Sequence, residues 1–205
     1  RPSEPEGRAS GARSASGPGV PHGPRPLSVE FRDVVFGYDP VRPVLHHVSF
    51  RVEAGETVAI VGHTGAGKST IAKLAARLYD VQGGAVLVGD RDVRDWPIED
   101  LRRAVGIVLQ DVFLFSADVD YNVDLGEIEF TEKKVREALR VAAAHDFVEK
   151  LPHGLRTLVG ERGVAISGGE RQLLSFARAV AYGPRVLVLD EATAGVDTET
   201  ESRLQ

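Results

Sequence analysis

Eight residues, GHTGAGKS from Gly62 to Ser69, constrain this chain of 205 residues more than any other feature. They follow Val58 to Val61, an apolar β-branched run with the length of a buried strand. They precede Ser69 to Tyr79, whose spacing predicts a helix with Leu74, Ala75 and Leu78 on one face. A glycine-rich turn between strand and helix lets successive backbone N–H groups point inward. The helix N-terminus adds partial positive charge at the same place. Such a nest takes phosphate. In the pattern G-x-x-x-x-G-K-S, Lys68 reaches the β- and γ-phosphates and the Ser69 hydroxyl binds Mg²⁺. With ordinary residue usage the pattern arises by chance in a chain this long on the order of one percent of the time, so a nucleotide site is the better reading. Its contact set is Gly62, His63, Thr64, Gly65, Ala66, Gly67, Lys68, Ser69 and Thr70.

A second apolar run, Val186 to Leu189, ends in Asp190 and Glu191. It reads as a strand buried on both faces, as in a parallel sheet covered by helices. The C-terminal edge of such a sheet is where ligands collect. Neighbouring strand residues point opposite ways, so the two acids are expected to divide the work. Asp190 fits a partner of the Mg²⁺ held by Ser69. Glu191 fits the group that orients and deprotonates an attacking water. Alone, such a pair is an ordinary solvated loop; downstream of a phosphate loop it reads as the hydrolytic half of an ATPase.

Between these two lies ISGGERQ, Ile166 to Gln172, with Ser167, Gly168 and Gly169 opening a helix predicted to run to about Ala181. By itself it is a helix cap with a flexible approach. Placed between a phosphate loop and an acidic strand, it resembles the LSGGQ signature of the ATP-binding cassette (ABC) family, with Ile166 for Leu and Glu170 for Gln. The resemblance covers about Leu27 to Gln205. It implies an α/β fold: a P-loop NTPase core, an antiparallel β subdomain and a small α-helical subdomain carrying the signature.

The resemblance also implies roles for single residues. Tyr38, in VVFGYDP, matches the aromatic on which adenine stacks. Gln110, after the strand Val105 to Leu109, matches the glutamine that contacts Mg²⁺ and the water, and Asp197 matches the aspartate that communicates with an opposite subunit. Lys68, Gln110 and Glu191 are the implied catalytic set; Ser69, Gln110 and Asp190 hold the metal. Glu191 itself, in place of a neutral substitute, implies a site able to hydrolyse. Ser167, Gly168, Gly169 and Glu170 are implied to close over ATP bound by a second ABC ATPase domain, in the same or another chain, arranged head to tail.

Two segments resemble the exporter branch: DVFLFS after Gln110, and VGERG, Val159 to Gly163. In exporters these stretches meet the coupling helices of transmembrane domains, which gives Glu161 and Arg162 a docking role. Phe113, Leu114 and Phe115 fit a docking surface or a core equally well. The implied location is the cytoplasmic face of a membrane, as on a bacterial plasma membrane.

Composition narrows the class. There is no cysteine, hence no disulfide framework. A net charge of -5 gives no reason to expect nucleic acid as a partner. No apolar stretch reaches the roughly 20 residues of a spanning helix. Residues 1–26, rich in Pro, Gly, Ser and Arg, read as a disordered tail or linker; residues 27–205 read as the ATPase domain. The family continues past the equivalent of Gln205 with further strands and a γ-phosphate histidine, so the domain is expected to be C-terminally truncated. None of the six histidines takes that place. Thr131 to Ala144 predicts an amphipathic helix capped by Thr131, burying Val135, Leu139 and Ala142 or Ala143. Val29 to Val52 predicts an antiparallel layer.

Two other functions fit less of this. A soluble ABC-type ATPase acting on nucleic acid or ribosomes would share the Glu170 form of the signature. Chromosome-maintenance relatives, however, insert a long coiled coil where only about a hundred residues stand here. A nucleotide-gated module that binds without turnover would accommodate the missing histidine.

Overall fold

A computed structural model describes residues 25–39, 41–109, 112–128, 130–160 and 163–190. Its first layer is a four-stranded antiparallel sheet, order β2-β1-β3-β4, from β1 (Val29–Phe36), β2 (Leu45–Val52), β3 (Gly83–Val88) and β4 (Arg91–Asp92). The antiparallel layer over Val29 to Val52 is as predicted; β3 and β4 extend it. Strand β1 shows why its sequence is not a simple alternation. Val29 and Phe31 face inward, then Val34 and Phe36, because a bulge intervenes at Arg32 and Asp33. Asp33 takes a left-handed φ of 51° there. One extra residue restores the inward phase for the second half of the strand. Phe31, 1% exposed, stacks on Phe50 at 4.7 Å between ring centroids.

This sheet packs on α1 (Lys68–Ala75), α2 (Ile98–Ala104) and β5 (Val105–Val108), sharing one core that includes Phe31, Val34, Leu74, Leu101 and Val105. Helix α1 is shorter than predicted. It ends at Ala75, Arg77 turns left-handed at φ 49°, and Leu78 is left 41% exposed, off the face of Leu74 and Ala75. A residue in that conformation cannot continue the helix.

Strand β5 pairs in parallel with β6 (Val186–Leu189), from Val105↔Val186 to Val108↔Leu189. The sequence places this strand correctly but not its burial. Val186 and Val188 pack on the core, whereas Leu187 and Leu189 are 38% and 50% exposed. The strand expected at Val58 to Val61 is also absent. Val58, Ile60 and Val61 are exposed, and no backbone hydrogen bond joins them to β5 or β6 among the described residues. Both corrections have one cause. Apolar runs become buried strands only through paired neighbours and covering layers, and no described element covers this side of β6.

A second core is helical. It gathers α3 (Val119–Asp124), α4 (Glu132–Val141), α5 (His145–Glu149) and α6 (Gly168–Ala181) around Val123, Val135, Leu139, Val148 and Leu174. The Thr131 hydroxyl caps α4 by accepting from Lys134 N, as predicted. The helix stops at Val141, and the buried alanine is Ala142, because Ala143 turns to φ 53°. Two separate cores in one chain match the expected division into a sheet-based ATPase core and a helical signature subdomain.

Candidate functional site

The turn before α1 is set by glycine. Gly67 stands at φ 91°, ψ 10°, and a Cβ there would lie 2.7 Å from Leu45 Cδ2 and 3.3 Å from Val44 Cγ1. Both the backbone conformation and the space exclude a side chain. Ala66 N donates to His63 O, and Thr70 N and Ile71 N donate to Gly67 O, which closes the loop onto the helix. The Lys68 ammonium donates to the carbonyls of Gly62 and His63 at 2.9 and 3.2 Å. It therefore arches back over its own loop, at the mouth a phosphate chain would enter.

Ser69 is where distant sequence meets. Its hydroxyl donates to Asp190 Oδ1 at 2.8 Å across 121 positions. Asp190 is 8% exposed, and its N–H extends the β5–β6 pairing by donating to Val108 O. The phosphate loop and the acidic strand end, predicted separately, are thus one site. An aliphatic hydroxyl and a carboxylate are hard oxygen donors of the kind Mg²⁺ takes together with substrate phosphates, so this pair fits that ion.

Tyr38 lies on the same side. Its ring is half exposed, braced edge-on by Phe36 and Tyr79 at 5.2 Å each, and its hydroxyl shares a 3.2 Å hydrogen bond with Thr70 Oγ1. Lys73 Nζ is 5.6 Å from the ring centroid. An aromatic face presented this way can stack a flat base. Tyr79 and the tethering role of Thr70 were not foreseen. Tyr79 follows the end of α1, and nothing in its spacing points to Tyr38.

The signature residues sit elsewhere, at the start of α6. Ser167 is the N-cap of a complete capping box: Glu170 N donates to Ser167 Oγ at 3.2 Å, and Ser167 N donates to Glu170 Oε2 at 2.7 Å. Either Glu or Gln closes such a box, which gives Glu170 a local reason to be there. Ser167 and Gly168 are exposed, so this helix end faces solvent. Replacing Ser167 by alanine is expected to cost about 1 kcal/mol of stability from the lost cap; urea unfolding of Ser167→Ala against wild type measures it.

Of the three aromatic-run residues left open, Leu114 is buried, while Phe113 and Phe115 are 67% and 39% exposed. Phe113, Phe115 and Tyr121 contact edge to face at 5.1 and 5.8 Å. Gln110, Glu161, Arg162, Glu191 and Asp197 lie outside the described residues.

Similarity to known proteins agrees with this geometry. The profile of the family described as ABC transporter matches residues 45–194. The chain is 50% identical over 177 residues to the probable multidrug resistance ABC transporter ATP-binding/permease protein YheH of Bacillus subtilis strain 168, covering 86% of this chain and 26% of that one. It is 47% identical over 176 residues to the mitochondrial iron-sulfur clusters transporter atm1 of Aspergillus fumigatus, covering 86% and 24%. Among solved structures, a bacterial Atm1-family ABC exporter with ATP bound superposes with a TM-score of 0.82 at 46% identity, covering 90% of this chain and 33% of that one. The chain thus spans about a quarter to a third of the length of these relatives. With the profile spanning 45–194 and the loop, acidic strand and signature helix in place, the chain belongs to the ABC transporter family, as an ATP-binding domain of the exporter type.

Proposed function

We propose that this domain is the ATP-hydrolysing motor of an exporter, each ATP being held by one domain's Lys68 loop and closed by the Ser167 turn of a second domain. The Ser69–Asp190 contact carries this reading, because it joins the phosphate loop to the end of the acidic strand, which Glu191 follows in the sequence. Loop N–H groups and Lys68 hold the phosphates, and Tyr38 stacks the adenine. Ser69, Asp190 and Gln110 would hold Mg²⁺, which would supply positive charge to offset that of the nucleotide's phosphates. Glu191 takes the proton of the attacking water.

The second domain is needed for a physical reason. A single domain leaves the phosphate mouth open, so the water and γ-phosphate lack the fixed near-attack geometry that accelerates displacement. The exposed, capped start of α6 supplies N–H groups and a helix-end positive potential that can face a partner's ATP. Asp197 serves communication between the paired domains. Nucleotide then sets the population of closed and open pairs, and transmembrane domains follow through contacts at Glu161, Arg162 and the exposed Phe113 surface. The domain would work on the cytoplasmic face of a membrane; no described helix is long and apolar enough to cross one.

The absence of cysteine from this chain makes a direct test simple. Cysteines replacing Ala66 and Ser167 are expected to crosslink two domains to each other when ATP is added, and not without it. Denaturing gels of the oxidised protein read the result. A crosslink confined within one domain, or a yield indifferent to ATP, contradicts the shared site.

A further inference from the structure

One polar cluster, with Asn122 buried and Arg178 half-buried, joins the signature helix to the exposed aromatics, and the hydrolytic scheme leaves it unused. Asn122 on α3 is fully buried. Its Oδ1 accepts from Phe115 N at 2.8 Å, and its Nδ2 donates to Phe115 O and Asp118 O, both at 3.0 Å. One side chain thereby fixes the path of the loop from Phe113 to Asp118. Arg178 sits on α6, about three turns beyond Ser167. Its Nε donates to Asn122 O at 2.8 Å, its Nη2 to Asn122 Oδ1 at 3.1 Å and its Nη1 to Phe113 O at 3.1 Å. The guanidinium carbon lies 5.7 Å from the Phe115 ring centroid.

We propose that Arg178 is a positioning residue: it locks the Phe113–Ser116 loop to the signature helix, so that displacement of the exposed aromatics is delivered to Ser167. This rests on the shared-site reading above and adds the route by which membrane-facing surface and signature move together. Three features support it. The acceptors are two backbone carbonyls and an amide oxygen, and among the described residues Arg178 forms no ion pair with a carboxylate. Desolvation accordingly lowers its pKa from the usual arginine value, although a guanidinium stays charged at any physiological pH. Even partial burial of a charge without a counter-ion costs stability, and a methionine would fill the space without that cost. What methionine lacks is direction: a planar fork bonding three fixed oxygens admits one orientation of loop against helix. The helix between Arg178 and Ser167 is continuous, so that orientation is passed to the signature end.

The test uses the complete protein in lipid nanodiscs and steady-state ATP turnover. Arg178→Met is expected to lower kcat about tenfold with KM for ATP within about twofold of wild type, the size typical of lost coupling between sites. Arg178→Lys, keeping the charge but not the planar fork, is expected to lower kcat by a smaller factor, about two- to threefold, again at unchanged KM. Wild-type kcat in Arg178→Met overturns the proposal. So does a KM that rises in step with the fall in kcat, since that marks a general lesion reaching the phosphate loop. If Arg178→Met does not fold, Arg178→Lys decides: a lowered kcat at unchanged KM supports the link, and wild-type values for both overturn it. Absence of hydrolysis by the wild type overturns this proposal and the motor reading together, whereas equal turnover by wild type and Arg178→Met overturns this one alone.

Discussion

Glu191→Gln is expected to lower steady-state ATP hydrolysis about a thousandfold, within the range lost when a positioned general base is removed, and to leave ATP binding intact. Glutamine keeps the shape and gives up the basicity. On the proposed reading the Lys68 loop would still hold the phosphates, and Ser69 and Asp190, in contact at 2.8 Å, would still hold Mg²⁺. Unsplit ATP should therefore accumulate in closed pairs of domains. The measurement is a single-turnover assay with labelled ATP, reading both the rate and the chemical identity of the retained nucleotide. Asp190→Asn separates the two acids. It touches the buried carboxylate that accepts from Ser69, so the loss should fall on Mg²⁺-dependent nucleotide affinity. Turnover near wild type in Glu191→Gln would move the base to another residue.

Leu174→Ala has the largest expected effect on stability. Leu174 is fully buried in the helical core and sits on α6, the helix that carries the signature. Truncating such a leucine costs about 2–5 kcal/mol, from lost burial and the cavity left behind. For a domain of this size that lowers the thermal midpoint by about 10 °C, which circular dichroism of the folded protein will show. Phe113→Ala is the counterpart. Phe113 is 67% exposed, and its removal should change stability by no more than about 0.5 kcal/mol. If Phe113 docks against a membrane domain, its loss should instead reduce transport-coupled turnover in the complete protein. A Phe113→Ala protein as unstable as Leu174→Ala would return that ring to the core and remove the docking surface.

The turns and caps around the candidate site were legible because they are local. The Gly67 turn, the Ser167 cap and the Thr131 cap each depend on a few adjacent residues, and the structure shows all three. The Glu170 substitution also has a local explanation, since the capping box accepts it. Helix ends were less legible. The spacing predicts a helix to Tyr79, but α1 stops at Ala75 before the left-handed Arg77, which nothing in the composition of that segment announces.

What residue types and spacing determined by themselves was the local pattern: a glycine-rich turn opening a helix, a hydroxyl beside it, and an apolar strand ending in carboxylates. Tertiary structure alone decided which of these groups meet. It put Ser69 against Asp190, tied Tyr38 to Thr70, and joined Arg178 to Asn122. It also decided which apolar runs are covered, leaving Val58, Ile60 and Leu189 exposed while Leu114 is buried. The reason is that turns and caps are satisfied within a few residues of backbone, whereas burial and long-range pairing depend on neighbours the chain brings together only when it folds.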